Sequence, residues 1–64
     1  MTYLISNIID IDDLKLVLYI HCIEYQMAGL HELVIEITEQ ELEELLLNLS
    51  VQDYHNITVQ LFKQ

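Results

Sequence analysis

Residues 14–25 read Leu14-Lys15-Leu16-Val17-Leu18-Tyr19-Ile20-His21-Cys22-Ile23-Glu24-Tyr25, and the fold turns on how this run is parsed. Almost every residue in it is β-branched, aromatic or large aliphatic. Taken in alternation, Leu14, Leu16, Leu18, Ile20 and Cys22 fall on one side and Val17, Tyr19, His21, Ile23 and Tyr25 on the other. Parsed this way the run predicts a long strand with both faces apolar.

Working outward, His31 to Ile37 alternates more cleanly, with Leu33, Ile35 and Ile37 inward and Glu32, Val34 and Glu36 outward. The link Gln26-Met27-Ala28-Gly29 holds the only glycine of the chain, where a hairpin would use a positive φ. After Ile37 the period changes to that of a helix, with Leu42, Leu45, Leu46 and Leu49 at i, i+3, i+4 and i+7. Thr38-Glu39-Gln40-Glu41 fits a capping box, and acidic side chains in the first turn suit the positive end of the helix dipole. Asn48 and Ser50 would terminate this helix, Asp53 to Asn56 would form a loop, and Ile57, Val59 and Leu61 would point inward from a last strand. Thr2 to Ile11 reads as a first strand turned by Asp10 to Asp13, with a short helix as the alternative. The expectation is one α+β domain over residues 1–64, in the order β-β-β-α-β. It consists of an antiparallel sheet of three or four strands with one amphipathic helix packed on one face.

Eleven carboxylates stand against two lysines, Lys15 and Lys63, and no arginine, so the 64-residue chain has a formal net charge of −9 while 53% of it is hydrophobic. Enough apolar mass is present to fold, so the charge belongs on the outside. Binding to nucleic acid or to an anionic membrane is disfavoured, because both need Lys and Arg against phosphates. Basic protein surfaces are the natural electrostatic partners. Cys22 has no second cysteine to bridge to, and no stretch has the pattern of a secretory leader or approaches the ~20 apolar residues of a membrane span. A reduced, cytoplasmic setting is the expectation.

A chain this short hides only roughly 60% of its unfolded surface, which leaves oligomerisation as a route to stability. A sheet face bearing Val17, Tyr19, Ile23, Tyr25, Val34 and Phe62 is apolar enough to predict a homodimer that covers it, or one that joins exposed strand edges. His21, placed near that interface, would loosen the dimer on protonation.

Glu39 and Glu43 lie one turn apart on the expected helix with Glu44 beside Gln40, and Glu32 and Glu36 repeat the sign on the outer face of a strand, which predicts a row of negative charges. Glu36, Glu39, Glu43 and Glu44 together make a candidate partner-binding face whose charges imitate the spaced phosphates of a nucleic acid. Solvation alone is the competing explanation, but an ordinary solvent face mixes both signs. Leu47, off the apolar stripe, would be an exposed contact within that face. Asp10-Ile11-Asp12-Asp13 lacks the spacing of a calcium loop and reads as a turn. His21, Cys22, His31 and His55 match no zinc spacing, and His21 and Cys22 would point to opposite faces of a strand. No metal, cofactor or small-molecule substrate is expected, and a pocket of ~300 Å³ is hard to carve from so small a core. The pattern predicts a non-catalytic protein that inhibits a larger basic partner, such as a nuclease or defence enzyme, and that is encoded by a phage or mobile element. The alternatives are an antitoxin or immunity protein against a cationic toxin, and a self-assembling structural subunit.

Overall fold

The computed structural model describes residues 1–62, in the order β1 (Thr2–Ser6), α1 (Ile11–Ile20), β2 (Tyr25–Gly29), β3 (Glu32–Glu36), α2 (Glu39–Leu47), α3 (Val51–Asn56) and β4 (Thr58–Leu61). The four strands form one antiparallel sheet in the order β2-β3-β1-β4. With α3 counted as an extra turn, this is the βαββαβ arrangement of ferredoxin-like folds, in which each helical crossover joins two parallel strands that have a third between them. The α+β class and the antiparallel sheet agree with the sequence. The helix count does not, because three helices replace the expected one.

The largest correction falls on residues 14–25, where Ile11–Ile20 is helix α1 and only Tyr25 enters a strand. In a run apolar on every side, a period of two and a period of 3.6 fit equally well, so the ends decide. Asp10 caps the helix by accepting from the Asp13 N–H at 3.1 Å, and Asp12 and Asp13 occupy the first turn. The run read as a turn is therefore a helix start. Leu14 and Leu18, one turn apart, are fully buried, whereas Leu16, Tyr19 and Ile20 remain exposed.

At its other end α1 closes with a Schellman motif, in which the Ile23 N–H donates to the Leu18 C=O at 2.9 Å and the Cys22 N–H to the Tyr19 C=O at 3.1 Å. The residue in the left-handed conformation is Cys22, at φ 57°, a position where glycine is usual. Gly29, by contrast, has no positive φ and sits inside β2. The hairpin turn is Leu30-His31, five residues after the start of β2, and not the Gln26 to Gly29 link.

The rest of the C-terminal half follows its local signals. Thr38 and Glu41 form the expected capping box, the Glu41 N–H donating to the Thr38 Oγ1 and the Thr38 N–H to the Glu41 Oε1, each at 3.1 Å. Leu45 is buried and Leu42, Leu46 and Leu49 are half-buried. The expected loop at Asp53–Asn56 is instead most of α3, started by Ser50, whose Oγ accepts from the Asp53 N–H at 3.2 Å. The core joins Tyr3, Ile5, Leu33 and Ile35 from the sheet to Leu14 and Leu18 of α1 and Leu45 of α2, with Ile8 and Ile37 closing its ends. No described helix is long and apolar enough to cross a membrane.

Candidate functional site

Surface charge is the chemistry this chain has in excess, and the fold distributes it unevenly. Asp10, Asp12, Glu24, Glu36, Glu39, Glu41, Glu43 and Glu44 are exposed, Asp13 and Glu32 half-buried, and Asp53 buried. Lys15 is the one lysine among the described residues, and Lys63 lies outside them. Two lysines in the whole chain cannot neutralise eleven carboxylates whatever the geometry.

The four predicted partner-binding residues are all exposed, but they do not form one row. Glu39 and Glu43 share a stripe of α2, while Glu44 stands about 100° further round the helix. There it lines a crevice of about 200 Å³ with His21, Ile23, Glu41 and Leu45. Glu36 ends β3, before buried Ile37. Leu47 lies on the outer side of α2 and is 81% exposed, as its position off the apolar stripe implied.

The six residues of the predicted apolar interface do not lie on one sheet face, although Tyr19, Ile23, Tyr25 and Val34 line one groove. Val17 and Tyr19 belong to α1, and Ile23 packs against the core from the loop after it. Tyr25 pairs with Ile35 and so faces the helix side of the sheet, whereas Val34 pairs with Leu4 and Gln26 on the open side. Phe62 donates its N–H to the Thr2 C=O at 2.8 Å, which continues the alternation of β4 and puts its side chain on the open side too. Only Val34 and Phe62 of the six therefore share a face, with Leu4 beside them. The cause is the mistaken period of residues 14–25. His21 is the C-cap of α1, beside the Glu41 and Glu44 crevice, and is not part of a strand interface.

An open groove of about 860 Å³ lies at the end of the sheet where β1 and β2 begin and β3 ends. It is larger than the chain length led us to expect. Its apolar lining includes Tyr19, Cys22, Ile23, Tyr25 and Val34, and Glu24, Glu36, Glu41 and Lys15 supply its charges. Glu41 is committed to the cap, and the Thr38 N–H, followed by the Thr38 hydroxyl, holds its carboxyl below the ordinary 4.5. Glu24 and Glu36 have no such role.

Sequence reasoning missed Asp53. Only 1% exposed, it accepts at Oδ1 from the Ile9 N–H at 2.9 Å and the Asp10 N–H at 3.3 Å, tying α3 to the start of α1. Its Oδ2 is buried without a partner among the described residues. The available signal was Ser50 three residues before it, the spacing of an N-cap and its N3 residue. Nearby, the His31 Nδ1 donates to the Ile8 C=O at 3.1 Å and the Asn7 Nδ2 donates to the Thr58 Oγ1 at 3.0 Å. These bonds close the far end of the sheet internally. Among the described residues no three His, Cys, Asp or Glu side chains converge as metal ligands.

Comparison with protein-family models, curated proteins and solved structures finds no match to this chain.

Proposed function

We propose that this chain is a non-catalytic interaction protein that binds and blocks a larger basic protein, acting in the cytoplasm and encoded by a phage or mobile element. One observation carries the reading: of eleven carboxylates only Asp53 is buried, in a chain with two lysines. The remaining charge is displayed on a folded surface and is not neutralised internally. It steers association with a cationic partner, and exposed apolar side chains such as Leu47 slow release. The size of the groove removes the volume argument against catalysis, so the reading rests on the charge of the surface. Nucleic-acid-processing enzymes are the partner class whose basic clefts suit such a surface.

The test pairs capture with function. Tagged protein is used to recover partners from its host's lysate at low and high salt, and the recovered protein is purified and assayed with and without the chain. The expected result is one basic protein whose activity falls on addition, with binding weakened when Glu36, Glu39, Glu43 and Glu44 are replaced by Gln. Binding that ignores both salt and these substitutions sinks the electrostatic mechanism.

A second reading, self-association, is supported by the open sheet face, where Leu4, Val34 and Phe62 form an apolar centre among polar residues. Two copies would stack these faces as a homodimer. Sedimentation at micromolar concentration checks it, and a monomer there ends this reading without touching the first.

A further inference from the structure

The binding mode follows from the sheet's open edge. Among the described residues β2 is an outer strand with β3 on one side only, and all five of its residues are exposed. Which of its backbone groups point outward can be worked out from the ladder. The Ile37 N–H donates to the Met1 C=O and the Ile8 N–H to the His31 C=O, so the odd-numbered residues of β3 bond toward β1. The even-numbered residues then bond toward β2, Val34 pairs with Gln26, and Tyr25 and Met27 present their N–H and C=O groups to the open side. An irregularity between Met27 and Gly29 disturbs the far half of the strand. The regular half, Tyr25 to Met27, is the half whose start lines the groove.

Edges in natural proteins are ordinarily blunted by lysine, proline or inward charge. Tyr25-Gln26-Met27-Ala28-Gly29 has none of these. The strand is only five residues long and carries an irregularity, but that irregularity lies beyond Met27 and leaves Tyr25 to Met27 regular. β4, the other outer strand, is also uncharged but contributes no residue to this groove among the described residues. Resting on the reading above, we propose that the Tyr25–Met27 edge takes an extended basic segment of the partner as a fifth strand. Backbone hydrogen bonds hold the segment. Its cationic side chains reach Glu24 and Glu36, and its apolar stems lie against Tyr19, Ile23 and Tyr25. Lys15, in the same lining, disfavours a cation beside it. A second copy is the wrong occupant on charge grounds. Symmetric pairing brings identical surfaces together, so Glu24 and Glu36 would meet a chain that is itself at −9.

The experiment titrates 15N-labelled full-length protein with a peptide of about six residues alternating valine and arginine, with a valine–glutamate peptide as control. Bound valine–arginine peptide is expected to slow exchange of the Tyr25 and Met27 amides about tenfold, with the control peptide inert. Met27→Pro, which removes an outward N–H and spares the ladder to β3, should weaken binding about tenfold, and Glu24→Gln with Glu36→Gln should weaken it at low salt. Should the proline variant fail to fold, the amide measurement on the unaltered protein decides alone. Binding without slowed Tyr25 and Met27 amides overturns the edge proposal and leaves general acidic attraction standing. Slowing that appears with rising protein concentration and no peptide overturns it in favour of a second copy. No binding of the peptide also overturns it, whereas the broader reading falls only on its own glutamate test.

Discussion

Helices α1 and α2 are nearly equal in length, ten residues against nine, yet they are specified in opposite ways. Everything that makes α2 a helix lies within its own neighbourhood: the Thr38–Glu41 capping box, glutamates separating the leucines, and Leu45 aimed at the core. α1 has its Asp10 cap, but its entry is also held from outside by Asp53 of α3, and its exit depends on a cysteine in a conformation better suited to glycine. Its outer side bears Leu16, Tyr19 and Ile20 where that of α2 bears Glu39 and Glu43. A helix with contrasting faces announces its period. A helix that is apolar all round from Leu16 to its end, as α1 is, does not.

The largest effect should come from the residues on which the two parsings of α1 disagree. In a strand Leu16 and Leu18 share a face and would respond alike, whereas in α1 Leu18 is fully buried and Leu16 is 55% exposed. Leu18→Ala should cost about 2–5 kcal/mol, and Leu16→Ala should stay within about 0.5 kcal/mol, both read by urea denaturation. Equal costs would restore the strand.

That contrast also explains what was legible. Leu33 and Ile35 and the α2 leucines were readable because charged residues flank them on the other side, Glu32 and Glu36 in β3 and the glutamates in α2. The acidic surface was readable from composition alone. Its arrangement was not, because placing Glu24 and Glu36 in the lining of one groove, and Glu44 in a crevice with His21, depends on how α1 returns the chain to β2. The long-range role of Asp53 was illegible for a related reason, although Ser50 marked its place in a helix start. Its partners are the Ile9 and Asp10 amides, 44 and 43 residues away, and no local pattern encodes such a bond.

Asp53→Ala strips the external support from α1 and leaves two N–H groups without their acceptor, at a cost of roughly 1–3 kcal/mol. Asp53→Asn keeps an oxygen for those amides and should lie closer to the wild type. If the alanine variant were as stable as the asparagine one, α1 would be as self-sufficient as α2.

The matching break in α2 is Thr38→Ala, expected to cost about 1 kcal/mol at neutral pH. The cap also carries a pH signature. The folded pKa of Glu41 lies below its ordinary 4.5, so its contribution is fully present above that value and is lost as pH falls through the lower folded value. Subtracting the stability profile of Glu41→Gln from that of the wild type should reveal a loss confined to the acid side of 4.5. A flat difference there would mean that the Glu41 carboxylate does not hold the Thr38 N–H in solution, leaving the Thr38 hydroxyl as the cap.

Cys22 gives the smallest effect and the one with the opposite sign. Its φ of 57° places Cβ where an L-residue is strained, and the two Schellman bonds to Leu18 and Tyr19 require that conformation. The side chain is exposed, so its removal opens no cavity in the core. Cys22→Gly relieves the strain but gives the unfolded chain more freedom, and the balance should stabilise the protein by roughly 0.5–1 kcal/mol. Cys22→Ala keeps Cβ and should gain nothing, which separates backbone relief from loss of the thiol. Since Cys22 also lines the groove beside Tyr25, the glycine variant should be compared for valine–arginine peptide binding as well. A more stable variant with unchanged binding would show a strained helix end that the proposed edge does not use. Weakened binding would instead tie the strain at the end of α1 to the positioning of β2.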